Sequence, residues 1–314
     1  MSEPWDVEIR HASGDELPAA FRTVHRAADV AGDLPVLLIG DAAHGEFRTA
    51  IATLDSCCRL TIARSVAAAL AELEGAASPP SLIVVAQARP GEYSEVEIDA
   101  LRRSAPLAPF VALLGSWCEG ETRSGRPWPG VVRVYWRQWR GRAWPELAAL
   151  RAGRTLTWGL PATASEEERL LSAALEPIDK QQGLIAVAAE NFAMADWLAD
   201  ACRVQGFATV RTSAARPVKA SGVAAVLWDA GLAAEASLAE LAALRDAFTG
   251  TPVTALVDFP RIEHHEGLLA AGAAGVLSKP VMLAELAIQF QEATATAQSA
   301  ERRTRSKDTA PDRE

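Results

Sequence analysis

Short apolar runs alternate with helically spaced segments along most of this chain, and that alternation leaves few ways to fold it. The first run is Leu34 to Gly40, LPVLLIG, followed by a helical segment from Gly45 to Leu54. A strand at Arg59 to Ala63, a helix from Ser65 to Gly75 and a buried strand at Ser81 to Val85 come next. A helix at Ser94 to Ser104 then leads to the strand Pro109 to Leu114. Parallel neighbours need crossover connections, usually helices, so the pattern predicts a parallel sheet covered on both faces.

The alternation resumes after a connector from Leu147 to Gly183, in which Ser165 stands three residues before Glu168 as a capping box. Strands are expected at Leu184 to Val187, Ala208 to Thr212, Ala224 to Trp228 and Pro252 to Val257, with helices at Ala193 to Gln205 and Ser237 to Phe248. Gly206 marks the end of the first of these helices. The fold class is therefore α/β, with two doubly wound, flavodoxin-like parallel-sheet domains in tandem. Their expected bounds are 34–147 and 183–297, with an N-terminal extension at 1–33, a linker at 148–182 and a disordered tail at 298–314. A helix from Pro18 to Ala28 is expected in the extension.

The second half ends on Ala270 to Leu286, AAGAAGVLSKPVMLAEL, which reads as the close of a helix, a short strand and a Lys-Pro turn into a further helix. This stretch resembles the end of a response-regulator receiver domain, where the last strand delivers a lysine, followed by proline, to a phosphoaspartate pocket. Here those residues are Lys279 and Pro280. The resemblance makes Asp229, in LWDAG, the phosphoacceptor candidate. It places Glu190 in the pocket and implies Mg2+ held by Glu190 and Asp229, because a hard cation and an ammonium offset charge on phosphoryl oxygens. The pattern departs elsewhere: Ala189 replaces one acid of the expected pair, Val257 and Asp258 stand where a hydroxyl residue is expected, and Val276 replaces an aromatic. In the first half Asp41 and Ser116 match the family, whereas Ala86 and Gln87 occupy the acceptor position, which makes that half a pseudo-receiver.

Resemblance to this family implies a non-enzymatic part in phosphorelay signal transduction, as in two-component systems, with a protein partner such as a histidine kinase. Composition agrees on what to exclude. A net charge of -9 disfavours general binding to a phosphate backbone. The apolar runs are much shorter than a bilayer span, and Met1 to Arg10 holds several charges, so a cytoplasmic protein is expected. Cys57, Cys58, Cys118 and Cys202 follow no metal-ligand spacing and read as reduced, packed thiols.

One stretch stands apart from that acidic background. Trp117 to Trp144 carries five of the nine tryptophans and six arginines against two glutamates. Trp and Arg bury large areas and stack, so Trp117, Arg123, Arg126 and Trp128 are interface candidates. Alternation within Val131 to Trp139 also reads as a fifth strand, with Val132, Val134 and Trp136 on one face. Two rival readings stay open: a two-lobed small-ligand binder or enzyme with a cleft between its domains, and a nucleic-acid adaptor using the arginine-rich loop.

Overall fold

The computed structural model describes residues 34–154, 157–161, 163–174, 181–232 and 235–293. The expected N-terminal extension with its helix, and the expected tail at 298–314, lie outside the described residues. The first sheet comprises β1 (Pro35–Ile39), β2 (Arg59–Ala63), β3 (Leu82–Gln87), β4 (Phe110–Leu114) and β5 (Val132–Tyr135). Crossing between them are α1 (Arg48–Cys57), α2 (Val66–Gly75) and α3 (Glu95–Ser104); α4 (Trp139–Arg151) follows β5. After α5 (Glu166–Ala174), the second sheet takes β6 (Leu184–Ala188), β7 (Ala208–Thr212), β8 (Val223–Gly231), β9 (Val253–Asp258) and β10 (Gly275–Lys279). Its helices are α6 (Phe192–Val204), α7 (Glu235–Ala247), α8 (Ile262–Ala270) and α9 (283–293).

Every strand pair is parallel, and the strand order is 2-1-3-4-5 in the first sheet and, counted the same way, 7-6-8-9-10 in the second. Both are flavodoxin-like α/β domains. The central strands are buried on both faces, as in β3 and β4, where every residue is buried. Each such Leu, Ile or Val contributes roughly 1.5–3 kcal/mol by leaving water. Helix ends follow the sequence signals. Ser94 and Glu97 form a capping box at α3, and Ser165 and Glu168 form the expected one at α5. Gly206 ends α6 at φ +99, and a Cβ there would meet the Gln181 carbonyl oxygen at 2.4 Å.

One expectation is corrected. Strand structure stops at Tyr135 and does not run to Trp139: Trp136–Gln138 form a 3-10 turn that leads straight into α4. From Trp136 onward the apolar residues follow helical spacing, with Trp139, Ala143 and Leu147 all buried in the core with Val132 and Val134. Alternation over Val132 to Tyr135 is too short to outweigh that longer helical period.

The two domains meet through α4 and α9. Gly141 lies so close to α9 that a Cβ added there would fall 2.2 Å from Glu285 Cγ and 3.0 Å from its Cα. Around this contact Arg140 pairs with Glu292 at 2.8 Å, Trp136 stacks edge-on against His265 with centroids 5.6 Å apart, and Arg48 reaches Glu266 at 3.4 Å. Burial pushes the His265 pKa down, against Glu266 and with the help of Arg140. Glu285 is buried; its Oε2 accepts from the Met282 N–H at 3.2 Å, while its Oε1 has no hydrogen-bond partner among the described residues. Burial pushes its pKa up to about 7, against the pull of that N–H and of Arg142 and Arg137.

Two outcomes are expected at this seam. Gly141→Ala should destabilise the chain by roughly 1–3 kcal/mol in denaturant unfolding, because overpacking outweighs the helix propensity that ordinarily favours alanine. A gain in stability would show that the helices do not approach this closely. The folded chain also holds a proton on Glu285 that the unfolded chain releases above the ordinary carboxyl pKa of 4.5. Its contribution to stability is therefore complete below pH 4.5 and lost as pH rises through about 7. Relative to Glu285→Gln, the natural chain should lose on the order of 3 kcal/mol between those limits, read from melts across the range. Parallel pH profiles for the two proteins would contradict this.

Candidate functional site

Asp229 stands near the carboxyl end of the central strand β8, just before the register with β9 slips between Asp229 and Gly231. The slip leaves Ala230 unpaired and turns the chain so that the Gly231 N–H donates to Asp229 Oδ1 at 3.1 Å. On the other side of β9, Lys279 is the last residue of β10 and pairs in register with Asp258, the last residue of β9. Its Nζ donates to Asp229 Oδ1 at 2.6 Å and lies 2.9 Å from Asp258 Oδ1. One ammonium thus spans two carboxylates at the carboxyl edge of the sheet, where ligands of such folds bind.

The side chains are only partly accessible, 17% for Lys279, 12% for Asp229 and 35% for Asp258. Burial opposes the charge on Lys279, but the hydrogen bonds and charges of Asp229 and Asp258 outweigh it, and the lysine pKa is raised. The peptide bond from Lys279 to Pro280 is cis. Directly after Asp258, Phe259 is exposed, with φ +45, and the guanidinium of Arg137 from the first domain lies 5.9 Å from its ring centre. The loop beyond the carboxylates therefore touches the neighbouring domain.

Asp229 and Lys279, both expected from the sequence, are brought together. Glu190 is exposed in the turn after β6. Asp258 is the residue that the sequence reading passed over, because it was seen only as a missing hydroxyl. Matching the last residues of β9 and β10 would have found it, since both strands end in a charged residue of opposite sign. The described residues contain no cluster of three or more His, Cys, Asp or Glu suited to a metal. Magnesium is commonly held by one or two carboxylates together with phosphate oxygens, and Asp229 and Asp258 fit that smaller donor set.

The first sheet shows the same rows filled differently. Ala86 pairs with Leu113 and Leu113 with Val134, as Asp229 pairs with Leu256 and Leu256 with Leu277. Ala86 thus takes the place of Asp229, and Trp136, two residues beyond Val134, that of Lys279. Ser116, the hydroxyl noted in the sequence, donates through Oγ to Glu46 Oε1 and through its N–H to Glu46 Oε2 at 3.0 Å. The Trp136 indole N–H in turn donates to Ser116 Oγ at 3.1 Å. This edge is occupied by its own hydrogen bonds, and Asp41 caps the adjoining turn through the Ala43 N–H at 2.9 Å.

The Trp/Arg stretch separates into two parts. Arg133 pairs with Glu121 at 2.8 Å, Arg137 with Glu119, and Arg142 donates to the Arg133 carbonyl at 2.9 Å. Trp128, expected at an interface, is instead a core residue: it is 7% exposed and packs edge-on against Tyr93. Its apolar ring completes the cluster that also holds Val131 and Cys118. Trp117 is 66% exposed in a 3-10 turn, Arg123 is exposed in the short helix Glu121–Ser124, and Arg126 is exposed just beyond it.

No protein-family model and no curated protein matches this chain. Among solved structures, it is similar to a response-regulator receiver domain protein from Clostridium thermocellum, at 14% identity and a TM-score of 0.34, over 38% of this chain and 98% of that one. NtrX from Brucella abortus in complex with ATP matches at 17% identity and a TM-score of 0.35, over 43% of this chain and 31% of that one. Full-length FixJ from B. japonicum matches at 20% identity and a TM-score of 0.30, over 38% of this chain and 61% of that one. Response-regulator receiver domains are thus among the structural neighbours of the chain.

Proposed function

We propose that this protein acts in response-regulator-type signalling through protein contacts, and that its second domain accepts a phosphoryl group on Asp229. The observation that carries this reading is the contact of Lys279 with Asp229 at 2.6 Å, at the carboxyl end of the central strand. A carboxylate oxygen of Asp229 attacks the phosphorus of an activated phosphate, and the bond from phosphorus to the donor atom breaks, an oxygen in acetyl phosphate or an imidazole nitrogen in a phosphohistidine, with the electron pair leaving on the donor. Lys279 then hydrogen-bonds a phosphoryl oxygen and offsets its charge. Asp229 and Asp258 are the two carboxylates that would hold magnesium together with phosphoryl oxygens, whose charge it would neutralise. Asp258 would keep the ammonium in place while Asp229 is esterified.

In this reading the first domain is a pseudo-receiver that serves as a scaffold. Ala86 offers no carboxylate, so no phosphoaspartate can form at that position. Trp117, Arg123 and Arg126 form the surface by which it would engage a protein partner, and a histidine kinase is the class of protein that would supply the phosphoryl group in a cytoplasmic setting.

The test is the intact mass of the full chain after incubation with acetyl phosphate and magnesium. A single added phosphoryl group is expected, absent in Asp229→Asn and lost on mild alkaline treatment, as an acyl phosphate requires. A natural chain that gains no mass under conditions that label an ordinary receiver domain would overturn the proposal.

A further inference from the structure

Cys57 and Cys58 are adjacent in the chain, and their sulfur atoms lie 3.5 Å apart. Neighbouring side chains usually diverge, so the backbone must bring these two together. It does so because Cys57 closes α1 in helical conformation, while Cys58 is extended, at φ -138 and ψ 163. Helical followed by extended backbone is the order of a type VIII turn. The amide of Cys58 still donates to the Leu54 carbonyl at 2.8 Å, and the amide of Arg59 already donates to Leu34 at 2.9 Å. The pair therefore sits at a fixed junction between a helix and a strand.

The surroundings favour chemistry at one of the two sulfurs. Arg151, in the last turn of α4, lies near the pair, and its Nε is buried without a hydrogen-bond partner among the described residues. The Cys57 pKa is lowered, chiefly by the hydrogen bond from Cys58, with burial opposing and Arg151 helping. Cys58 is shifted upward by the same hydrogen bond and by burial. The remaining cysteines, Cys118 and Cys202, are buried, and burial pushes each up to about 12. Thiolate character and access decide which cysteines react. Cys57 is buried, but its partner is half-buried and opens a side of the pair to small solutes.

We infer that Cys57 and Cys58 form a redox-sensitive dithiol, which hydrogen peroxide oxidises to a disulfide between chain neighbours. The Cys57 thiolate attacks one peroxide oxygen, the O–O bond breaks, and the leaving hydroxide takes a proton to become water. The sulfenic acid so formed is attacked by the Cys58 sulfur. Its hydroxyl leaves as a second water, and the new S–S bond closes. Two electrons pass from the two sulfurs to the two peroxide oxygens. Closure brings the sulfurs to about 2.0 Å, a displacement small enough for side-chain rotation and slight fraying of the α1 end.

The experiment uses the reduced full chain. It is exposed to a few equivalents of hydrogen peroxide, treated with catalase, denatured, alkylated with N-ethylmaleimide and digested with trypsin. The peptide Thr49 to Arg59 should be recovered unalkylated and lighter by two hydrogens, and a reductant should restore full alkylation. Alkylatable thiols should fall from the four of the chain to the two at Cys118 and Cys202. Cys58→Ser should instead leave Cys57 as a sulfenic acid that dimedone traps. Because the peptide readout comes from the natural chain, it does not depend on how either variant folds. Recovery of that peptide alkylated at both cysteines would overturn the inference, as would a sulfinic acid at Cys57 without any disulfide.

Discussion

The neighbouring carboxyl ends of three parallel strands bring together the ion cluster of the second domain. Because β8, β9 and β10 run the same way and stop within a residue or two of one another, Asp229, Asp258 and Lys279 are delivered to one edge without any loop having to place them. A single ammonium then satisfies two carboxylates, and its raised pKa records that their attraction exceeds the cost of burial. In the first domain the equivalent rows carry Ala86, Gly115 and Trp136. The ion cluster is gone, and the indole takes its place, bonded to Ser116 and stacked on His265 of the other domain. The same architecture thus presents a charged edge in one copy and a packing edge in the other.

That division of labour extends to the seam. Trp136, Arg137 and Arg140 all lie where β5 gives way to α4, and each meets the second domain, through His265, Phe259 and Glu292. Gly141 lets the helices close over Glu285, leaving a carboxyl group in a place where its charged form is costly. Phe259 directly follows Asp258, so a change at the carboxylates has a short covalent path to the seam. Tight packing at α4 and α9 and strained backbone at Phe259 are features of the same junction.

Much of the fold was legible from sequence because parallel strands buried on both faces read as short apolar runs, and capped helices carry their own punctuation. Leu34 to Gly40, Ser165 with Glu168, and Gly206 are cases in which local chemistry and tertiary structure agree. The fifth strand was read too long because Trp136 suits either period, and only the following Trp139, Ala143 and Leu147 decide for a helix. Trp128 was misjudged for a related reason: a tryptophan in a Gly- and Pro-rich loop looks like a contact residue until the Tyr93 ring beneath it is seen. Asp229 and Lys279 could be named in advance, because the Lys279-Pro280 ending resembles that of receiver domains and Asp229 stands where the resemblance implies an acceptor. Asp258 as a partner of Lys279 emerges only when the ends of β9 and β10 are matched with each other, and Gly141 against Glu285 could not be named at all, because it depends on how two domains dock.

The central claim is that the Asp229 carboxylate, held by Lys279, is poised to carry a phosphoryl group. Its most direct test is fluorine NMR of the full chain with beryllium fluoride and magnesium, since beryllofluoride mimics a phosphoryl group on a carboxylate without covalent turnover. The account predicts a set of bound fluoride resonances at one equivalent per chain, absent in Asp229→Asn. Free fluoride species alone in the natural chain, or bound resonances that persist in the variant, would contradict it.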